Sequence, residues 1–312
     1  MRTKGTLGRL AAGLVVGSMI LAACNTGSGG GSKGTVNIAV NPWVGYEADA
    51  AVVAYILDKK MGYTVVKKDL VEEVSWQGFD SGEVDVILEN WGHPDFEKTY
   101  ITDKKVAMDA GQTGNVGIIG WFVPKWMADQ YPDITDAKNL NKYADLFKTS
   151  ESGDKGEFLG TDPSYTQYDE ALVTNLGLNF KVRFSGSESA TVETIKQAVA
   201  QKKPLLFYWW DPHWLNAVVD LVRVNLPAYT VGCDADPVKI ACDYPAYNLN
   251  KIIRTKFNAD GGDAATLIKN FKWTNHDQNL VADYITNEKM TPEAAAQKWV
   301  DANEAVWKAW LP

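Results

Sequence analysis

The chain has 312 residues, 46% of them hydrophobic and 22% charged, and its acids outnumber its bases to a formal net charge of −8. An acidic surface repels nucleic acid and anionic lipid, so neither is expected as a partner. Its three histidines, His93, His213 and His276, lie far apart with no HExxH pair, and no GxSxG, P-loop or GxGxxG opens a helix, so no enzyme activity, cofactor or metal is expected.

The first ten residues carry Arg2, Lys4 and Arg9 with no acid, and an apolar run follows to Leu21. At about a dozen residues that run is too short to span a bilayer and suits a secretory signal. It closes in Leu21-Ala22-Ala23-Cys24, which resembles the bacterial lipobox. Residues 1–23 therefore read as a lipoprotein signal peptide and Cys24 as the lipidated first residue, the alternative being an ordinary signal peptide with a chance cysteine. Residues 24–33 read as a flexible polar tether with nothing to bury. Loss of the leader takes the formal charge from −8 to −11. What remains, about 280 residues, exceeds what one core usually organises, so two lobes are expected.

TVNIAV (35–40) has the pattern of a strand, and residues 49–60 turn at helical period through Ala51, Ala54, Tyr55 and Asp58. TVVKK, DVILEN and GIIGWFV are the next strands, followed by FLG (158–160), KVRF (181–184) and PLLFYWW (204–210), with TVETIKQAVAQ (191–201) as an intervening helix. Such alternation predicts an α/β fold of parallel sheets with helices on their faces. Cys233 and Cys242 close the short loop CDADPVKIAC; in an exported chain a disulfide is expected, with free thiols or a metal site as alternatives. From Asp263 onward the pattern is helical. In the last helix Thr291 is the expected N-cap with Pro292 at the first position. Ala296, Trp299, Val300, Val306, Trp307 and Trp310 mark one apolar stripe, and its tryptophans read as packing.

The other tryptophans recur at strand ends: Trp43 in NPWVGYEAD, Trp91 in NWGHP, and Trp209, Trp210 and Trp214 in YWWDPHW. Ligands of α/β sheets bind beyond the carboxyl ends of strands. Trp121 lies within a strand and reads either as cage or as core. An isolated tryptophan is more often core, but recurrence at three strand ends favours a pocket. Adjacent strand residues face opposite sides, so only one of Trp209 and Trp210 can face it, and Trp210 is the candidate. A quaternary ammonium donates no hydrogen bond and favours the negative faces of indole rings, at roughly 0.5 to 2 kcal/mol per ring. Three or four rings then supply most of a micromolar affinity, about 8 kcal/mol. Sugars also stack on tryptophan but need surrounding polar side chains, and the neighbours here are mostly Pro, Gly and apolar residues. A secreted carbohydrate-binding protein or glycosidase is the rival reading, with Glu89 and Asp95 as an imaginable acid pair that no spacing singles out.

WDPHW after a strand, NWGHP after DVILE, WVG after the first strand and GWFVP together resemble the substrate-binding proteins of glycine betaine, proline betaine and choline ABC importers, from about Gly34 to the C-terminal helix. The resemblance implies a two-lobed periplasmic-binding-protein fold of type II with the ligand cleft between lobes. Lobe 1 would comprise 34–120 and 218–312, and lobe 2 residues 121–217. It implies a cage of Trp43, Trp91 and Trp210 and a further aromatic near the crossover, where this chain offers Trp121 while Ile118 and Ile119 occupy the neighbouring positions. It further implies a lipid-anchored, extracytoplasmic monomer that delivers a betaine to ABC permease and ATPase subunits for osmoprotection, held to the membrane by its anchor alone. Choline binders of the family resemble Trp-x-Asp at the first tryptophan, where this chain has Trp43-Val44-Gly45-Tyr46. Glycine there removes the acceptor for a hydroxyl, which favours glycine betaine over choline or carnitine and gives its carboxylate to the backbone of Gly45 and Tyr46. His213 is either a further donor to that carboxylate or a structural residue of the PHW turn. Thr161, Asp162 and Ser164 either meet the carboxylate or simply cap a helix.

Overall fold

The computed structural model describes residues 32–165 and 167–312; the expected signal peptide, Cys24 and the expected tether to residue 31 lie outside the described residues. The chain begins with β1 (Thr35–Val40), α1 (Val44–Tyr55), β2 (Thr64–Asp69), α2 (Glu72–Ser81), β3 (Val86–Asn90) and α3 (Pro94–Phe96). A long strand β4 (Ala107–Pro124) leads to α4 (Lys125–Gln130) and then β5 (Gly156–Gly160), α5 (Asp169–Asn175), β6 (Phe180–Phe184), α6 (Glu188–Gln201), β7 (Phe207–Asp211) and β8 (Leu221–Val224). The rest comprises β9 (Ala246–Arg254), α7 (Thr255–Asp260), α8 (Gly262–Asn270), α9 (Asn275–Thr286), α10 (Pro292–Ala302) and α11 (Glu304–Lys308). Among the described residues no helix is long and apolar enough to cross a membrane.

The strands lie in the order β2-β1-β3-β9-β4-β7-β5-β6, with β8 on β4. β1 runs parallel to β2 and β3, as crossovers through α1 and α2 require, and β5 runs parallel to β6 and β7 through α5 and α6. β4 joins the two parallel groups. Its first part pairs antiparallel with β9 and its last part with β7 and β8, and Ile118 is the changeover, opposite Ala246 on one side and Asp211 on the other. The connection from β8 to β9 stays with the second group. Asn225 N–H donates to Thr135 O at 2.8 Å, the Asn175 amide donates to Val238 O and Ile240 O, both at 2.9 Å, and the Tyr244 hydroxyl donates to Asp169 Oδ1 at 3.2 Å. Within this connection Cys233 and Cys242 form a disulfide.

Several elements differ from the sequence expectation for physical reasons. α1 starts at Val44 rather than 49, with Trp43 extended just before it. β4 runs far upstream of GIIGWFV, because the register shifts between Asp109 and Gln112 and between Gln112 and Val116 break the two-residue alternation. Gly111 and Gly114 take φ of 94° and 95° there, and a side chain at Gly114 would meet the Trp273 carbonyl oxygen. β9 was not expected at all, since AYNLNKIIR is half polar. Its Lys251 is buried, yet satisfied by donating to Lys269 O at 3.0 Å and Phe271 O at 2.6 Å at the end of α8. Burial holds the Lys251 amine down to about 8. At the C-terminus the Thr291 hydroxyl accepts from Ala294 N–H with Pro292 in the first turn. The helix then stops at Asn303, whose amide donates to Trp299 O, so the single helix expected to reach 310 is two pieces and Val306 is half-exposed instead of packed. Trp299, Trp307 and Trp310 are buried, with Trp299 and Trp310 stacked at 5.8 Å.

Candidate functional site

The carboxyl ends of β1, β3, β5 and β7 converge on one cavity with about 480 Å³ of unfilled space, part of it open to solvent. Three indoles, Trp43, Trp91 and Trp210, and four phenols, Tyr165, Tyr168, Tyr208 and Tyr247, line it together with Glu72, Gly92, His93 and Ile119. Tyr165 stands edge-on between two of the indoles, 5.3 Å from Trp43 and 5.9 Å from Trp210. Its hydroxyl donates to Pro42 O at 2.6 Å. Trp91 packs against Tyr247 at 5.9 Å and over Gly117, where a side chain would lie 2.4 Å from its ring. Two-residue alternation along β7 turns Tyr208 and Trp210 into the cavity and Trp209 away from it, where its N–H donates to Asn216 Oδ1 at 2.9 Å.

Beneath the cage lies a buried carboxylate. Glu89 Oε1 accepts the indole N–H of both Trp91 at 2.6 Å and Trp43 at 3.2 Å, and Glu89 Oε2 accepts from the Gln278 amide at 2.8 Å. Asn115 donates to the other end of Gln278 and so fixes its orientation. Asp49, also buried, faces Glu89. Burial and then the Glu89 charge push the Asp49 carboxyl well above the usual aspartate range, whereas burial of Glu89 is opposed by hydrogen bonds from Asp49, Trp91, Trp43 and Gln278. These hydrogen bonds keep the Glu89 carboxyl from rising as far as burial alone would take it, although it too lies above the usual glutamate range.

The charged side chains in the lining are Glu72 and His93, with His93 Nε2 2.8 Å from Glu72 Oε1. Burial works against an imidazolium at His93, but the charge and hydrogen bond of Glu72 outweigh it and hold the pKa above the ordinary value. Among the described residues no lysine or arginine lines the cavity. Burial raises the phenols of Tyr165, Tyr168, Tyr208 and Tyr247, so they remain protonated donors at neutral pH. The hydroxyls of Tyr168, Tyr208 and Tyr247 make no hydrogen bond among the described residues and are free to donate to a guest. The arrangement suits a small molecule with one methylated cationic end and one polar end.

Residues 34–302 match the family described as the substrate-binding domain of the ABC-type glycine betaine transport system. The chain belongs to this family. The family consists of transport binding proteins rather than enzymes, and its members present their ligand to an ABC permease. Among relatives, the trimethylamine N-oxide-binding protein of Pelagibacter ubique is 26% identical over 287 residues, covering 88% of this chain and 90% of that protein. The glycine betaine-binding periplasmic protein of Dickeya dadantii is 24% identical over 275 residues, covering 81% and 82%. Among solved structures, lactococcal OpuAC, closed on glycine betaine, superposes with a TM-score of 0.70 at 23% identity, covering 89% of this chain and 99% of that one. A choline-binding protein in complex with choline gives 0.72 at 20% identity, covering 88% and 91%. The fold is accordingly the two-lobed type II periplasmic-binding-protein fold.

Of the family-site residues expected from sequence, Trp43, Trp91 and Trp210 come together in the cavity, while Trp121, Gly45, Tyr46 and His213 are not in its lining. Trp121 is fully buried against Phe158 at 4.5 Å, and its N–H donates to Asp169 Oδ1 at 2.7 Å; Ile119 occupies the wall instead. Tyr46 is also fully buried, its hydroxyl accepting from Leu88 N–H at 2.9 Å. Gly45 has a different neighbour from the one expected: a side chain there would meet the Gln278 amide nitrogen at 2.7 Å, so the glycine admits the residue that holds Glu89. His213 Nδ1 accepts from Leu215 N–H at 3.0 Å, leaving the proton on Nε2, which donates to Glu188 Oε1 at 2.7 Å. Asp162 Oδ1 accepts from Ser164 N–H, and the Thr161 hydroxyl accepts from Thr191 at 2.8 Å, both local structural bonds. Of the remaining lining residues, Tyr208 shares the cavity face of YWWDPHW with Trp210 and His93 lies in NWGHP, whereas Glu72, Tyr165, Tyr168 and Tyr247 carried no signal in the sequence, because they reach the cavity from α2, β9 and the loop after β5.

Proposed function

We propose that the chain captures glycine betaine, or a close trimethylammonium relative, outside the cytoplasm and presents it to an ABC permease so that the solute can be accumulated for osmoprotection. The observation that carries this reading is a single cavity walled by three indoles and Tyr165, with no lysine or arginine in its lining. Ring faces attract a methylated cation that a neutral sugar or an anion would not replace. The polar end of the ligand is assigned to the hydroxyls of Tyr168, Tyr208 and Tyr247 and the backbone of Gly92 and His93, rather than to Gly45, Tyr46 and His213. Cys24 is the proposed lipid anchor, consistent with the periplasmic placement of the Dickeya relative. The lobes are assigned as 34–118 with 246–312, and 119–245. The return crossing moves from 218 to 246 because residues 225–244 bond to 135, 169 and 175.

The test is a tryptophan-fluorescence titration of residues 34–312 with glycine betaine, choline, carnitine and proline, together with trimethylamine N-oxide, the ligand named for the Pelagibacter relative. Saturable micromolar binding of a trimethylated ligand is expected. Trp210→Ala removes one ring, worth up to about 2 kcal/mol, and should weaken binding by up to roughly thirtyfold. If no methylated amine binds, the reading is wrong.

A further inference from the structure

We infer that Glu89 is the positioning and charge-setting residue of the cage: one buried carboxylate holds two of its tryptophan walls by their indole N–H groups and serves as the counter-charge of the bound cation. This rests on the aromatic-cage reading of the cavity. The geometry is specific. Trp43 follows β1 and Trp91 follows β3, yet both indole N–H groups reach the same oxygen, Glu89 Oε1, at 3.2 and 2.6 Å. Two rings tied by their edges to one acceptor keep a fixed mutual angle and present their faces to the cavity. The second oxygen is held by Gln278, which Asn115 orients and which the missing side chain of Gly45 admits. The acceptor is thus immobilised on every side, and the side chains it holds are lining residues while it is not.

Charge gives the arrangement a second effect. Hydrogen bonds from an N–H to an anion are about twice as strong as neutral ones, and they push electron density into the indole, deepening the negative potential over its face. The nearest carboxylate in the lining, Glu72, is engaged with His93, so its charge is largely answered. Among the described residues Glu89 has no cationic side chain bonded to it; its bonded partners are two indoles and an amide, with the Asp49 carboxyl facing it. Its charge is left to be balanced by a guest.

The experiment compares wild-type protein, Glu89→Gln and Asp49→Asn by calorimetry. The probes are glycine betaine and 3,3-dimethylbutanoate, its carbon isostere without the positive charge, with choline and 3,3-dimethyl-1-butanol as the alternative pair. Glutamine keeps an oxygen for the indoles but loses the charge. Glu89→Gln should bind the cationic probe roughly tenfold more weakly and change affinity for the isostere by no more than about twofold. Asp49→Asn removes the carboxyl that faces Glu89 and should keep the preference for the cationic probe over its isostere that Glu89→Gln reduces. Equal losses for both probes would reduce Glu89 to a structural role, and unchanged cation affinity would overturn the inference while leaving the cage reading intact. Wild-type failure to bind either cation would overturn both. Should Glu89→Gln not fold, indole N–H exchange in the wild-type protein decides: Trp43 and Trp91, identified by Trp→Phe replacement, must exchange far more slowly than exposed indoles, and fast exchange overturns the proposal.

Discussion

Glu188 offers a test of how the two walls of the cleft are held together. It opens α6, and its carboxylate accepts from Val44 N–H at 2.8 Å and from His213 Nε2 at 2.7 Å. Val44 directly follows the cage residue Trp43, and His213 lies three residues after the cage residue Trp210. The contact therefore ties the start of α1 to the turn after β7, elements assigned to opposite lobes. Glu188→Ala removes two hydrogen bonds to a charged acceptor, each worth about 1.5–3 kcal/mol when shielded from water. Its side chain is 12% exposed, so water partly replaces it and about 1.5–3 kcal/mol for the two together is the better figure. If the contact forms when the lobes close on ligand, that loss appears as a roughly tenfold to hundredfold weaker affinity, mostly as faster release. Stopped-flow tryptophan fluorescence with glycine betaine measures the release rate, and calorimetry the affinity. Glu188→Gln, which keeps one acceptor, should fall between the variant and wild type. Affinity and release within twofold of wild type in a folded Glu188→Ala protein would refute the reasoning. A large fall in the melting temperature of the ligand-free protein would show that the contact is part of the resting fold instead.

Two other predictions concern stability. Burial pushes the Asp169 carboxyl from its ordinary 3.8 up to about 7, only partly opposed by the hydrogen bonds of Trp121 and Tyr244. A raised carboxyl favours the folded state while it is protonated, so its contribution is complete below about pH 4 and lost as the pH rises through 7. At about 1.4 kcal/mol per pH unit the loss reaches at most about 4 kcal/mol. Scanning calorimetry from pH 5 to 8.5 should show a fall for wild type that is flattened in Asp169→Asn, and parallel curves would disprove the linkage. The Cys233–Cys242 disulfide closes a loop with a sequence separation of 9, for which chain entropy predicts about 2.7 kcal/mol. Cys233→Ser with Cys242→Ser should lower the denaturant midpoint accordingly, while leaving ligand affinity nearly unchanged because neither cysteine lines the cavity.

The order of strands and helices, the strand-end tryptophans and the outward turn of Trp209 are properties of local sequence. Two-residue and 3.6-residue periodicity is imposed by the backbone, and a ring just beyond a strand is carried to the sheet's carboxyl edge wherever the sheet forms. YWWDPHW could thus be divided into a cavity face and a core face before any tertiary contact was known. The same local logic did not reach β9 or the upstream half of β4, whose alternation is broken by glycine and polar residues and which are strands through tertiary pairing, β9 lying between β3 and β4. Nor could it separate Trp121 from the cage or Gly45 from the ligand: both are explained by partners more than 40 positions away, Asp169 and Gln278. The tertiary structure alone decided that Tyr165, Tyr168 and Tyr247 complete the walls and that Glu89 stands beneath them. Spacing along a chain sets which way a side chain points from its own element; what it meets there depends on how separate elements are brought together, and hydrogen bonds and ring contacts act over a few ångströms of space, whatever the distance along the chain.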